Sequence, residues 1–180
     1  MGEQKMQTVT GSLPDSNAFC QLYENCRQDM YRFAYYRLGH PQEAEDAVQD
    51  AVLEAWRQIG NLRSVGAFRG WIFKILAACC NRRIRRIVRE REKTEAAQEQ
   101  LLGGAQNRTD TAESAGETAM RRMALESALD KLSEEEREIV LLSVVAGLTS
   151  AEIAAQTGMQ PGGVRSKLSR SLAKMREILS

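Results

Sequence analysis

The chain of 180 residues is poor in the residues that build turns, sheets and reaction centres. Only three prolines occur, Pro14, Pro41 and Pro161, and none interrupts an apolar-periodic stretch. Aromatics make up 6% of the chain, so helices are favoured over a turn-rich sheet protein. The single histidine, His40, stands beside an expected helix start with no cysteine or carboxylate cluster placed to share a metal. Neither a glycine-rich phosphate loop nor a nucleophile–base pair is visible, so an enzyme, a cofactor and a metal site are not expected. The four cysteines, Cys20, Cys26, Cys79 and Cys80, show no C-x-x-C spacing. Cys20 and Cys26 point to different faces of a predicted helix, and the neighbours Cys79 and Cys80 could bridge only with strain. They read as reduced thiols acting as small core hydrophobes. No secretory leader pattern opens the sequence, and no apolar run approaches the roughly 20 residues of a membrane span. A cytoplasmic protein without membrane insertion is therefore expected.

What the chain does contain is charge, hidden in a net value of +1. Between Arg69 and Lys93 lie Lys74, Arg82, Arg83, Arg85, Arg86, Arg89 and Arg91, opposed only by Glu90 and Glu92. A second basic stretch holds Arg165, Lys167, Arg170, Lys174 and Arg176. Acids dominate from Glu95 to Glu152. Two basic blocks with an acidic middle suggest two contacts with one polyanion.

The periodicity is helical throughout, giving an all-α fold of two small helical domains joined by a flexible linker. In the first domain, residues 13–93, Asp15-Ser16-Asn17 can cap a helix carrying Phe19, Leu22, Tyr23, Cys26, Met30 and Phe33 on one face. That helix is expected to run unbroken to Gly39. Pro41 suits the first turn of a second helix, which buries Ala47, Val48, Ala51, Val52 and Ala55. After the loop Gly60–Ser64 a third helix begins near Ala67, with Phe68, Trp71, Ile72, Ile75, Leu76 and Cys79 as its apolar side. Residues 94–119 lose the pattern and read as the linker, too poor in apolar surface to offset chain entropy. Such a linker leaves the two domains unfixed relative to one another. The second domain, 120–180, resumes with Met120, Met123, Leu125, Leu129 and Leu132, and Ser133 with Glu136 offers a capping box.

The sharpest local signal follows. Thr149 and Glu152 form another capping box, Gly158 suits a tight turn, and Pro161 opens a longer helix buried along Val164, Leu168, Leu172 and Met175. Arg165, Ser166, Ser169 and Arg170 face outward. Short helix, glycine turn and basic helix make a helix-turn-helix, whose second helix fits the major groove of duplex DNA. Arginine can bond guanine bidentately, and Gly162 and Gly163 let phosphate approach the free amides of the helix start.

The first domain carries two further features. Glu43, Asp46, Asp50 and Glu54 place acids on successive turns of one face, where like charges cost roughly 0.2–0.5 kcal/mol per pair. They form either a solvated face or a docking surface for a basic partner. Phe68, Arg69 and Trp71 interleave aromatics with a cation, a pattern that can stack unpaired bases, although both rings equally suit a core. Arg82, Arg83, Arg85 and Arg86 read as a nucleic-acid backbone patch.

These residues resemble a family. Tyr31-Arg32-Phe33-Ala34-Tyr35, Ala44 to Ala51, Ala55-Trp56 and Phe68-Arg69-Gly70-Trp71-Ile72 resemble the second conserved region of bacterial RNA polymerase sigma factors. Leu132 to Arg176, above all Gly147-Leu148-Thr149 and Pro161 to Arg170, resembles the fourth. The order, with no third region between, is similar to the extracytoplasmic-function subfamily. The resemblance implies that Asp46, Gln49 and Asp50 grip core polymerase. It further implies that Asn61, Leu62, Arg63 and Ser64, with Phe68, Arg69, Trp71 and Lys74, read the melted minus-ten element. The helix-turn-helix would read the duplex minus-thirty-five element, and an anti-sigma factor is an expected partner. Gln160 stands where the family often has Ser or Thr, and Gly163 where it often has Thr. A rival reading, a helix-turn-helix regulator acting on duplex DNA without replacing sigma, leaves the acidic and arginine-rich helices unexplained.

Overall fold

The computed structural model describes residues 16–98 and 116–179. Eight α-helices and two short 3-10 turns account for the secondary structure of these residues. The expected linker lies for the most part outside the described residues, but both of its edges are helical: α4 runs to Gln98 and α5 begins at Gly116.

The first domain contains α1 (Ser16–Glu24), α2 (Arg27–Leu38), α3 (Pro41–Arg57) and α4 (Phe68–Gln98). The expected single first helix is broken at Asn25–Cys26. Cys26 leaves the helical track at φ −123° and ψ −3°, its amide bonds to the Tyr23 carbonyl, and its thiol reaches the carbonyls of Leu22 and Tyr23. No proline or glycine marks this break, so periodicity alone runs through it. Gly39 then stops α2 at φ 70°, a conformation glycine adopts without steric cost. Pro41 opens α3 as expected. The core between α2, α3 and α4 is filled by Met30, Phe33, Ala47, Ala51, Ile72, Phe73 and Leu76, all fully buried. Phe33 and Phe73 meet edge to face at 5.7 Å. Each such ring contributes roughly 1.5–3 kcal/mol through burial.

The second domain contains α5 (Gly116–Asp130), α6 (Glu134–Val144), α7 (Ser150–Thr157) and α8 (Pro161–Leu179). Both expected capping boxes form, Ser133 with Glu136 on α6 and Thr149 with Glu152 on α7. Its small core is Leu129, Leu132, Ile139, Leu142, Ile153 and Val164. Met120 and Met123, which the sequence pattern puts on the apolar side of α5, are instead largely exposed.

The two domains are docked, not independent. Arg37 of α2 is buried, and its guanidinium donates to Glu134 Oε2 at 2.8 Å, Glu138 Oε2 at 3.2 Å and Asn81 Oδ1 at 2.5 Å. Tyr35 donates to Glu126 at 2.9 Å. The sequence expectation of two unfixed domains is corrected by the contacts to Glu126, Glu134 and Glu138, whose partners lie 91, 97 and 101 positions away and follow no local spacing.

Candidate nucleic-acid interface

The helix-turn-helix is built from local rules. The Thr149 hydroxyl accepts the Glu152 amide at 3.3 Å while Glu152 accepts the Thr149 amide at 2.8 Å, so two helix-start donors are satisfied reciprocally. Bonds from the Thr149 hydroxyl and amide hold the Glu152 carboxyl below its ordinary range. Gly158, at φ 73°, turns the chain into α8. Val164 and Met175 are buried and Leu168 and Leu172 pack against the core, the stripe the sequence predicts. Ser171 joins them unexpectedly, satisfied by donating to the Lys167 carbonyl at 2.9 Å. On the other side Arg165, Ser166, Ser169 and Arg170 are exposed, as are Gln160, Gly162 and Gly163 at the helix start. A Cβ at Gly162 would meet nothing within 4 Å, and at Gly163 only Met159 Cε at 3.6 Å, so neither glycine is demanded by packing. The cations of α8 divide into two groups. Lys167 pairs with Glu135 at 2.5 Å and Lys174 with Glu136 at 2.8 Å, tying α8 to α6. Arg165 makes no ion pair among the described residues.

The first basic block is arranged differently. The acids of α3 face the arginines of α4. Arg83, with 12% of its side chain exposed, spans Glu43 at 2.7 Å, Asp46 at 3.4 Å and Asp50 at 2.6 Å. Arg86 bonds Glu43 at 2.8 Å and Arg82 bonds Glu54 at 2.6 Å. Burial works against the charge of Arg83, but bonds to Asp50 and Glu43 outweigh it and raise the pKa. The backbone-binding patch expected from Arg82, Arg83 and Arg86 is thus, in this structure, an internal ladder that neutralises the acidic row. Arg85 is exposed and makes no ion pair among the described residues. Asp46, Gln49 and Asp50 keep exposed surface, with Asp50 at 55%, whereas Glu43 and Glu54 are more enclosed.

The remaining candidates sit around the start of α4. Asn61, Arg63, Ser64 and Lys74 are exposed and Leu62 is half-buried. Phe68 is core: it is 3% exposed and packs on Phe19 and Trp71, so it cannot stack a base without leaving its site. Trp71 is half-buried. Arg69 lies over the Phe73 ring at 5.3 Å and bonds Asp29 at 2.7 Å. It also donates to the carbonyls of Ala146 at 2.5 Å and Val145 at 3.1 Å in the second domain. Burial pushes the Cys26 and Cys79 thiols up to about 11 and the Cys80 thiol to about 12, which keeps them protonated and unreactive at neutral pH.

Two family models match, in chain order. Residues 22–90 match Sigma-70 region 2, and residues 122–175 match Sigma-70 region 4. The ECF RNA polymerase sigma factor SigM of Mycobacterium tuberculosis is 30% identical over 165 residues, covering 92% of this chain and 79% of SigM. The chain belongs to the ECF RNA polymerase sigma factors. SigL of the same organism is 27% identical over 182 residues, covering 97% of this chain and 96% of its own. Among solved structures, the sigma factor RpoE of Bartonella quintana, determined with the anti-sigma factor NepR, shares the fold with a TM-score of 0.70. Its identity is 23%, over 89% of this chain and 96% of that one. CnrH, determined with the cytosolic domain of CnrY, gives a TM-score of 0.63 at 24% identity, over 92% of this chain and 89% of that one.

As a member of this family the sigma factor directs promoter-specific transcription, and the rival reading as a stand-alone helix-turn-helix regulator is not favoured, because region 2 and region 4 are both present. Its two regions coincide with the two helical domains, but several of their important residues escaped the sequence. Arg37 and Gln156 carry contacts between the regions and stand in no motif. Tyr23 and Tyr31 line an open groove of about 610 Å³ with Arg27, Arg32, Val48 and Gln49. No helix among the described residues is long and apolar enough to cross a membrane.

Proposed function

We propose that this sigma factor docks on core RNA polymerase through α3, with Asp46, Gln49 and Asp50 as the contacting residues. Glu43 and Glu54 hold the arginine ladder and shape that surface from behind. The exposed loop Asn61–Ser64, with Arg69, Trp71 and Lys74, reads the melted minus-ten strand, while α8 enters the major groove of the minus-thirty-five element. Arg165 and Arg170 are the base readers there, Ser166 and Ser169 contact base edges or phosphate, and the open start of α8 at Gln160, Gly162 and Gly163 approaches the backbone. The protein works by binding and catalyses no reaction of its own. It acts in the cytoplasm, where its polymerase and promoters are, and an anti-sigma factor is its expected regulator.

The observation that carries the reading is the division of α8, one side buried in the region-4 core and the other presenting Arg165, Ser166, Ser169 and Arg170 to solvent. In vitro transcription with core polymerase on a randomised promoter library tests it. Enrichment of one pair of spaced elements is expected; transcription indistinguishable from core polymerase alone would refute the proposal.

A further inference from the structure

Gly163, Lys167, Arg170 and Lys174 form one row along α8, at steps of four, three and four residues. The row runs beside Ser166 and Ser169, and Gly163, Arg170 and Lys174 in it are exposed. It therefore lies along an edge of the helix face assigned to DNA, where the phosphates that line the major groove come closest to a recognition helix. The two lysines of this row are nonetheless drawn the other way, onto the first turn of α6. Lys167, with 22% of its side chain exposed, pairs with Glu135 Oε2 at 2.5 Å, and Lys174 donates to Glu136 Oε1 at 2.8 Å. Arg170, between them, donates to the Ser166 carbonyl of its own helix at 3.3 Å.

The two acids differ in what else they do. Glu136 closes the α6 capping box, accepting the Ser133 amide at 3.0 Å, so its carboxylate serves the helix start as well as Lys174. Glu135, 55% exposed, has Lys167 as its contact among the described residues. A pair this open on the acid's side contributes little to stability, because water screens it and ordering two side chains costs entropy. Its effect on DNA is larger, since it cancels one full positive charge on the edge of the recognition helix. A lysine is a compact charge on a flexible four-carbon stem, and once free of Glu135 it can swing towards a phosphate.

We propose that Glu135 is a positioning residue for DNA binding, which holds Lys167 off the phosphate backbone and so limits the sequence-independent grip of region 4. The proposal rests on the reading of α8 as the helix that enters the minus-thirty-five element. Phosphate contacts raise affinity for matched and unmatched duplex alike, and unmatched sites vastly outnumber promoters. Restraining this common contribution leaves base preference untouched while shortening the time spent on DNA that is not a promoter.

The test uses core polymerase carrying the parent chain, Glu135→Gln, or the double variant Glu135→Gln, Lys167→Met. Fluorescence anisotropy reads affinity for a duplex with the upstream element selected by the parent and for a scrambled duplex, over a range of salt. Glu135→Gln should tighten binding to both duplexes by the same factor. One added phosphate contact steepens the log–log dependence on salt by about 0.9, which makes the gain about three to four times larger at roughly 50 mM than at roughly 200 mM salt. The double variant should return to the affinity and salt slope of the parent. Unchanged binding by Glu135→Gln would overturn the proposal, and so would a gain that survives in the double variant, since the carboxylate would then act by its own charge and not through Lys167. In either case a parent that prefers the selected duplex leaves the reading of α8 standing. A parent that does not distinguish the two duplexes removes that reading and the proposal with it.

Discussion

The two basic blocks look alike in sequence and differ in space. In α4, Arg82, Arg83 and Arg86 are spent on the carboxylates of α3, with N···O distances of 2.6–3.4 Å. In α8, Lys167 and Lys174 are tied to α6, but Arg165 stands on an open face and Arg170 bonds, among the described residues, its own helix at the Ser166 carbonyl. The first block is therefore tied into region 2 by ion pairs, and the second leaves Arg165 and Arg170 facing solvent. A run of like charge predicts a polyanion contact only where the neighbouring helix does not already supply the counter-charge.

Substitutions can sharpen this contrast. The largest effect is expected from Arg83→Ala. It takes the ladder partner from Asp46 and Asp50 and leaves Glu43 with Arg86 alone, and should lower region-2 stability by about 1.5–3 kcal/mol, the scale of hydrogen bonds to charged groups. Urea denaturation measures it, and Arg165→Ala in the same assay should stay within about 0.5 kcal/mol of the parent. Equal effects would erase the distinction between the blocks.

DNA should reverse the order. Arg165→Ala is expected to cost about 1–3 kcal/mol at one base position of the preferred upstream element, read by competition among element variants in the presence of core polymerase. A uniform loss over all sequences would make Arg165 a phosphate contact instead.

Smaller effects concern how each region holds its helices. Thr149→Ala should destabilise region 4 by about 1 kcal/mol through loss of the α7 cap, seen as a lower thermal midpoint. The mildest effect is a pH dependence. Lys174 and the Ser133 amide hold the Glu136 carboxyl below its ordinary value of 4.5, as Thr149 does for Glu152. Groups with depressed folded-state pKa values stabilise fully above the unfolded value, and that contribution fades as pH falls through 4.5 and the lower folded value. Glu152→Gln should flatten this acid-side loss in region 4; an unaltered acid profile would remove the cap from the explanation.

Much of this architecture was legible because it follows local rules. Ser133 with Glu136, Thr149 with Glu152, Gly39, Pro41 and Gly158 each fix a boundary by satisfying amides or by tolerating a left-handed backbone, and such chemistry is written within four residues. The buried stripe of α8 was legible for the same reason. The break at Cys26 was not, since a thiol bonded to its own preceding turn carries no breaker signature. The ladder between α3 and α4 was not legible either: its acids and its arginines were each visible, but their pairing depends on how two helices pack across some 40 positions of sequence. Phe68 shows the same limit, because an aromatic beside an arginine fits a core as well as a base platform until its neighbours, Phe19 and Trp71, are known. Arg37 had no signal at all, its carboxylate partners lying in the other domain.

The most direct test is promoter selection from a randomised library by core polymerase carrying the parent chain, Arg165→Ala or Arg86→Ala. Arg86 is the comparison because it belongs to the ladder yet is half exposed, so its loss perturbs the fold less than that of the enclosed Arg83. The account predicts that Arg165→Ala relaxes the upstream element at one position, while Arg86→Ala selects the parent's elements with the parent's yield. A changed preference with Arg86→Ala, or an unchanged one with Arg165→Ala, would contradict it.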